Sequence, residues 1–121
     1  MISDRIEEAA FDADVIVDFT TPGATLVNAE YASKTGRAMV IGTTGFSEYE
    51  KKKLESLAKG FPCVISPNMS IGVNVMFEVA RKLAQSLGDG FDIEIIEANH
   101  RFKADAPSGT ALRLGEVVAE A

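Results

Sequence analysis

The chain has 121 residues, 46% of them hydrophobic and 25% charged, and carries a formal net charge of −6. This is the composition of one modest folded domain or of a piece of a larger protein, and it excludes a disordered chain. The acidic balance argues against nucleic acid as a partner, and no apolar run approaches the length needed to span a bilayer. The N-terminal "MISDRIEEAA" shows no signal-peptide pattern, which with a single cysteine fits a reducing cytoplasm.

The first expected strand is "DVIVDF" (14–19). A turn "TTPG" follows, then a helix to about Lys34, with Thr21 as its cap, Pro22 in its first turn and Gly36 as its stop. The second strand is "RAMVIG" (37–42), ending in "GTTG". Ser47 and Glu50 have the spacing of a capping box for the next helix, which Gly60 ends. The lysine run 51–53 lies on that helix among Glu48, Glu50 and Glu55 and reads as a solvated face. The third strand, "PCVIS" (62–66), carries Cys63 as a small buried hydrophobe and runs into "PNMSIG".

These strands are short and almost purely apolar, the pattern of a parallel sheet with helices over both faces. The order β-α-β-α-β is half of a doubly wound sheet. A helix over about 72–87 follows, with Met76, Val79, Ala80, Leu83 and Leu87 as its expected core stripe. Gly88 and Gly90 break the chain, and "FDIEIIEA" (91–98) reads as a half-exposed strand of a different sheet. The expected organisation is thus a parallel α/β domain over residues 1–71, with 72–121 forming a linking helix and the start of a second α/β domain. No Gly-x-Gly-x-x-Gly turn is present, and one strand with one helix makes a poor independent domain. The sequence reads as the middle of a longer protein.

In an open parallel sheet, ligands bind beyond the carboxyl ends of the strands. The loops there are 20–23, 42–45 and 66–70, all small and polar. In "GTTG", Gly42 and Gly45 permit close approach while Thr43 and Thr44 offer hydroxyls; an ordinary strand-to-helix connection reads equally well. In "SPNMS", Asn68 offers an amide to a carboxamide or ribose, with the same alternative. The stretch "NHRFKADAPSGTAL" (99–112) is more informative. Ser108 or Thr110 can cap the helix it opens, and N–H groups around Gly109 make an anion site at the positive end of the helix dipole. The sole histidine, His100, stands nearby with Arg101 and Lys103, and Lys103 is a candidate proton donor. A solvated, merely capped helix is the alternative. A lone histidine without a second histidine or cysteine makes no zinc set, so no metal is expected.

The block "IEIIEANHRFKADAPSGTAL" resembles the signature of the dihydrodipicolinate reductase family, roughly E-[AM]-H-H-x-x-K-x-D-A-P-S-G-T-A. The segments "VIVDFTTP", "MVIGTTGF" and "SPNMSIGVN" match that family in order and spacing, so the resemblance covers essentially the whole chain. It implies an oxidoreductase using NADH or NADPH in the diaminopimelate route to lysine, cytoplasmic and typically homotetrameric. It also implies a Rossmann-type nucleotide domain followed by a substrate domain that holds a cyclic dicarboxylate. By position, Gly42, Thr43 and Thr44 match one cofactor loop, and Ser66, Pro67, Asn68 and Met69 match the other. His100, Gly109 and Thr110 match substrate-binding residues, and Lys103 matches a catalytic lysine.

Two departures stand out. The family's glycine-rich first turn would lie upstream of Met1, and most of its substrate sheet beyond Ala121. Asn99 occupies the position of the family's proton-donor histidine, and an amide supplies no proton near neutral pH. The resemblance therefore allows two expectations: a part of the reductase, inactive on its own, or a non-catalytic ligand-binding or oligomerising relative.

Overall fold

The structure is a computed structural model that describes residues 2–103 and 105–121. It divides into two compact units, Met1–Ser66 and Pro67–Ala121. In the first unit a short helix α1 (Ile6–Ala9) precedes β1 (Val15–Asp18), α2 (Pro22–Thr35), β2 (Ala38–Ile41), α3 (Glu48–Ala58) and β3 (Cys63–Ile65). The strands form a parallel sheet in the order β1-β2-β3. Val15 to Asp18 pair with Ala38 to Ile41, and Met39 to Ile41 pair with Cys63 to Ile65. This is the α/β Rossmann-like arrangement expected.

The helices start and stop for local reasons. Pro22 occupies the first turn of α2, and Gly36 ends it in the left-handed region at φ 72°, its N–H donating to the Ala32 carbonyl at 2.7 Å. Thr21 holds the cap position, but its side chain makes no capping bond, contrary to expectation. At α3 the Ser47–Glu50 box is complete. The Glu50 N–H donates to Ser47 Oγ, and the Ser47 N–H donates to Glu50 Oε2 at 2.8 Å. Lys51 pairs with Glu48 and Lys53 with Glu30, both at 2.8 Å, as a solvated charged face would.

Topology corrects one expectation. Two successive right-handed crossovers that move the same way across a sheet lay both helices on the same face. Helices α2 and α3 accordingly pack on each other and over one side only. Ile16, Met39 and Ile41 point to that side and join Leu26, Ala29, Ala32, Leu54 and Phe61 in the core. The opposite side is bare: Val17 is 66% exposed, with Val15 and Val64 also exposed. Cys63 is exposed as well, because β3 is the sheet edge and is paired on one side alone. Purely apolar strands therefore gave no information about which faces this chain itself covers.

The second unit holds α4 (Ile71–Leu87), a 3-10 turn (Gly88–Gly90) and α5 (Gly109–Ala119). Helices α4 and α5 pack together, burying Phe77 and Val117. The stripe expected to be buried on α4 is not: Met76, Val79, Leu83 and Leu87 are exposed. With α5 as its packing partner, α4 turns inward the narrower line Val73, Phe77, Ala80 and Ala84. The expected strand 91–98 does not form. Its residues are exposed and without ladder partners among the described residues, and a strand exists only by pairing. No described helix is long and apolar enough to cross a membrane.

Candidate functional site

At the carboxyl ends of β1 and β2 the first unit carries a buried polar cluster. Asp18, the last residue of β1, is 1% exposed. Its Oδ1 accepts from the Thr20 N–H (3.0 Å), Thr20 Oγ1 (2.6 Å) and Thr43 Oγ1 (3.2 Å), and lies 3.3 Å from Thr25 Oγ1. Its Oδ2 accepts from Asn28 Nδ2 at 2.9 Å. Thr43 Oγ1 in turn accepts from the Thr20 N–H and from Thr25 Oγ1, each at 2.9 Å. A carboxylate withdrawn from water needs this many donors.

The cluster changes the reading of the "GTTG" loop. The Thr43 hydroxyl, expected to face a ligand, is turned inward and committed to Asp18. The Gly42 N–H donates to the Asp18 carbonyl at 2.8 Å, and the Phe19 ring fills the place a Cβ on residue 42 would take. Gly45 sits at φ 82° with open space around its Cα. Gly42 is thus covered by Phe19, and Gly45 is the position of the loop with open space beside its backbone, the form in which a chain approaches a phosphate closely. Thr44 is partly exposed, and the Ser66 N–H continues the ladder to the Ile41 carbonyl at 3.1 Å.

In the second unit Asn68 is likewise committed. Its Oδ1 accepts from the Ser70 N–H (2.9 Å), its carbonyl accepts from Asn74 Nδ2 (3.1 Å), and its Nδ2 donates to Thr110 Oγ1 (3.1 Å). Two sequence candidates assigned to different ligands, Asn68 and Thr110, therefore touch. Pro67 and Met69 are exposed beside it. Ser108 caps α5, its Oγ accepting from the Ala111 N–H at 3.1 Å, while the Ser108 N–H donates to Glu97 Oε2 at 3.0 Å. The N–H groups of Gly109 and Thr110, first in the helix, have no partner among the described residues. They point along the helix start, where the dipole favours an anion.

Of the cations at 100–103, Lys103 is neutralised by an acidic neighbour. Lys103 Nζ lies 2.9 Å from Asp105 Oδ1, and the Arg101 guanidinium stacks on the Phe102 ring. His100 is exposed, with Nδ1 accepting from the Phe102 N–H at 3.2 Å, which in the neutral ring puts the proton on Nε2. Glu97 is held below the usual carboxylate range by its bonds to Ser108, with smaller contributions from the Asn99 side chain and Lys103. An open cleft of about 720 Å³ runs alongside, lined by Ile95, Glu97, Asn99, Ala106, Pro107, Ala111, Leu112 and Gly115. Of the sequence candidates only Asn99 lines it; His100, Lys103, Gly109 and Thr110 stand outside its wall.

Comparison with known proteins now bears on these groups. Residues 1–69 match the family described as "Dihydrodipicolinate reductase, N-terminus", and residues 72–121 match "Dihydrodipicolinate reductase, C-terminus". The chain belongs to the dihydrodipicolinate reductase family. Among relatives named 4-hydroxy-tetrahydrodipicolinate reductase, that of Hahella chejuensis is 54% identical over 118 residues, covering 98% of this chain and 44% of its own. That of Desulfotalea psychrophila is 53% identical over 120 residues, covering 99% of this chain and 45% of its own. A solved structure, the dipicolinate-bound dihydrodipicolinate reductase from Paenisporosarcina sp. TG-14, superposes with a TM-score of 0.70 at 34% identity. It covers 97% of this chain and 44% of that one. The chain thus spans less than half the length of these reductases.

Three acidic residues were not singled out from the sequence: Asp18, Glu97 and Asp105. Asp18 had a signal, since it is the only charge inside "VIVDF" and two threonines follow it. Glu97 and Asp105 stand at fixed acidic positions of the family signature, but their partners, Ser108 and Lys103, were not readable from it.

Proposed function

We propose that these residues serve the NADH- or NADPH-dependent reduction of 4-hydroxy-tetrahydrodipicolinate to tetrahydrodipicolinate. The setting is a cytoplasmic, homotetrameric enzyme of the diaminopimelate route to lysine. Family membership over both matched regions carries this reading. The nicotinamide nucleotide, when bound, supplies a hydride. The loop Gly42–Gly45 suits its phosphates or ribose because Gly45 has open space beside its backbone and Thr43 is turned inward. Thr44 and the segment Ser66–Met69 complete the cofactor contacts.

On the substrate side, the unpartnered N–H groups of Gly109 and Thr110 are placed to hold a carboxylate, with His100 Nε2 as a further donor. The dipicolinate held by the Paenisporosarcina relative is a compound of the same dicarboxylate class. Lys103 carries an exchangeable proton and is oriented by Asp105, so it is the proton donor this chain offers. Asn99 cannot replace the family's histidine in that role, although it lines the cleft beside the start of α5.

Asn99 also favours a second reading, in which the site binds a dicarboxylate without turnover. One experiment separates the two. These 121 residues are placed in the frame of a full-length relative and NADPH oxidation is followed with 4-hydroxy-tetrahydrodipicolinate. The reductase reading expects turnover that rises roughly a hundredfold with Asn99→His, the usual scale for a general acid. Saturable dicarboxylate binding with no turnover before or after the substitution supports the binding module instead.

A further inference from the structure

Asp18 has no place in the reading above, yet its side chain accepts hydrogen bonds from Thr20, Thr43 and Asn28. Keeping a carboxylate 1% exposed costs several kcal/mol unless donors replace its water, whereas an apolar residue would fill the same place at the end of β1 at no such cost. The groups that surround Asp18 come from separate segments: Thr20 from the loop after β1, Thr25 and Asn28 from the first turns of α2, and Thr43 from the loop after β2.

Thr25 has one hydroxyl proton, and its shorter contact, 2.9 Å against 3.3 Å, gives that proton to Thr43. Thr43 Oγ1 accepts from the Thr20 N–H and from Thr25 Oγ1, so its single proton goes to Asp18. A bond between Thr20 and Thr43 spans 23 positions of sequence, and the carboxylate holds both ends. Loops at the carboxyl edge of a parallel sheet are otherwise free to move independently.

We propose that Asp18 is a positioning residue: it locks the loop after β1, the start of α2 and the Gly42–Gly45 loop into one rigid rim, with Thr43 as the coupling hydroxyl. Its consequence for nucleotide binding rests on the cofactor reading of Gly42–Gly45. Thr43 then serves the ligand by holding the loop backbone outward rather than through its own hydroxyl.

The test uses the 121-residue chain and two readouts. Amide exchange of Thr20 reports the rim without any ligand. Thr43→Val keeps the volume and removes the hydroxyl, so it should accelerate Thr20 exchange about tenfold, the scale of one lost buried hydrogen bond. Thr43→Ser should restore exchange to within about twofold. Unchanged Thr20 exchange in a folded Thr43→Val chain overturns the rim. The second readout is the Kd for NADPH and NADH. If the parent chain binds, Thr43→Val and Asp18→Ala should weaken binding about tenfold while Thr43→Ser stays close to the parent. Equal binding by a loosened rim overturns the positioning role. Absence of nucleotide binding both by this chain and by the same residues in the frame of a full-length relative refutes the cofactor reading instead, and Thr20 exchange then decides the rim alone. Should Asp18→Ala fail to fold, the threonine pair carries both readouts.

Discussion

Ser108 offers a test of the anion site that reads one hydrogen bond at a time. Its Oγ accepts from the Ala111 N–H at 3.1 Å, and its own N–H donates to Glu97. Ser108→Ala removes the first bond and leaves the second, because the backbone donor survives. Replacing a serine cap by alanine costs about 1 kcal/mol, and replacing it by glycine costs a few tenths. Since 1.4 kcal/mol is about tenfold in an equilibrium, the alanine variant should lower the protection of the Ala111 amide about fivefold. Ser108→Thr keeps the oxygen and should stay within about twofold, as should Ser108→Gly. Hydrogen exchange followed by NMR at neutral pH measures all three. If alanine leaves Ala111 as protected as serine does, or if glycine is as damaging as alanine, Ser108 does not organise the helix start. The donor geometry assigned to Gly109 and Thr110 would then lose its support.

Other expectations follow from the same structure. Ile41, fully buried beneath α2 and α3, should cost about 2–5 kcal/mol as Ile41→Ala, read from urea unfolding of the first unit. Val17→Ala, on the bare face of the same sheet, should fall within about 0.5 kcal/mol of the parent chain in that assay. Glu97 is held below its ordinary value mainly by Ser108, so the bond it lends the helix start is present above the unfolded carboxylate value, about 4.3. It is lost as pH falls through the lower folded value. The Ser108 amide shift should therefore titrate with a midpoint below about 4.3, and Glu97→Gln should abolish that titration.

The β1-α2-β2-α3-β3 order was legible because each apolar run is short and bounded by residues with one local use. Pro22, Gly36 and the Ser47–Glu50 box do the same work in any context. What lay beyond the sequence was set by tertiary geometry. The apolar pattern of β1 is compatible with cover on either face, and only the direction of the crossovers puts both helices over Ile16 and leaves Val17 outside. On α4 the apolar arc is wide enough to hold both the Met76 stripe and the Phe77 line, so periodicity could not choose between them. "FDIEIIEA" alternates as a strand should, yet alternation supplies no hydrogen-bonding neighbour.

The site was legible in a similar way. Residue types at the start of α5 and in "GTTG" marked donor-rich backbone, and Ser108 caps the helix as its position suggested. Which polar side chains face outward was not readable. Thr43 and Asn68 both offered groups to a ligand on paper, and both are drawn into contacts with residues distant in sequence, Asp18 and Thr110. A buried carboxylate or a neighbouring helix start competes for a hydroxyl or amide as strongly as a ligand does.

The central claim, that the start of α5 receives a carboxylate of a small cyclic dicarboxylate, has one direct measurement. The chain is titrated with dipicolinate while the Gly109 and Thr110 amides are followed by NMR. The account predicts saturable downfield shifts at these two amides, abolished by Lys103→Ala and insensitive to Val17→Ala. Shifts absent there, or scattered over the surface and unchanged in Lys103→Ala, would contradict it.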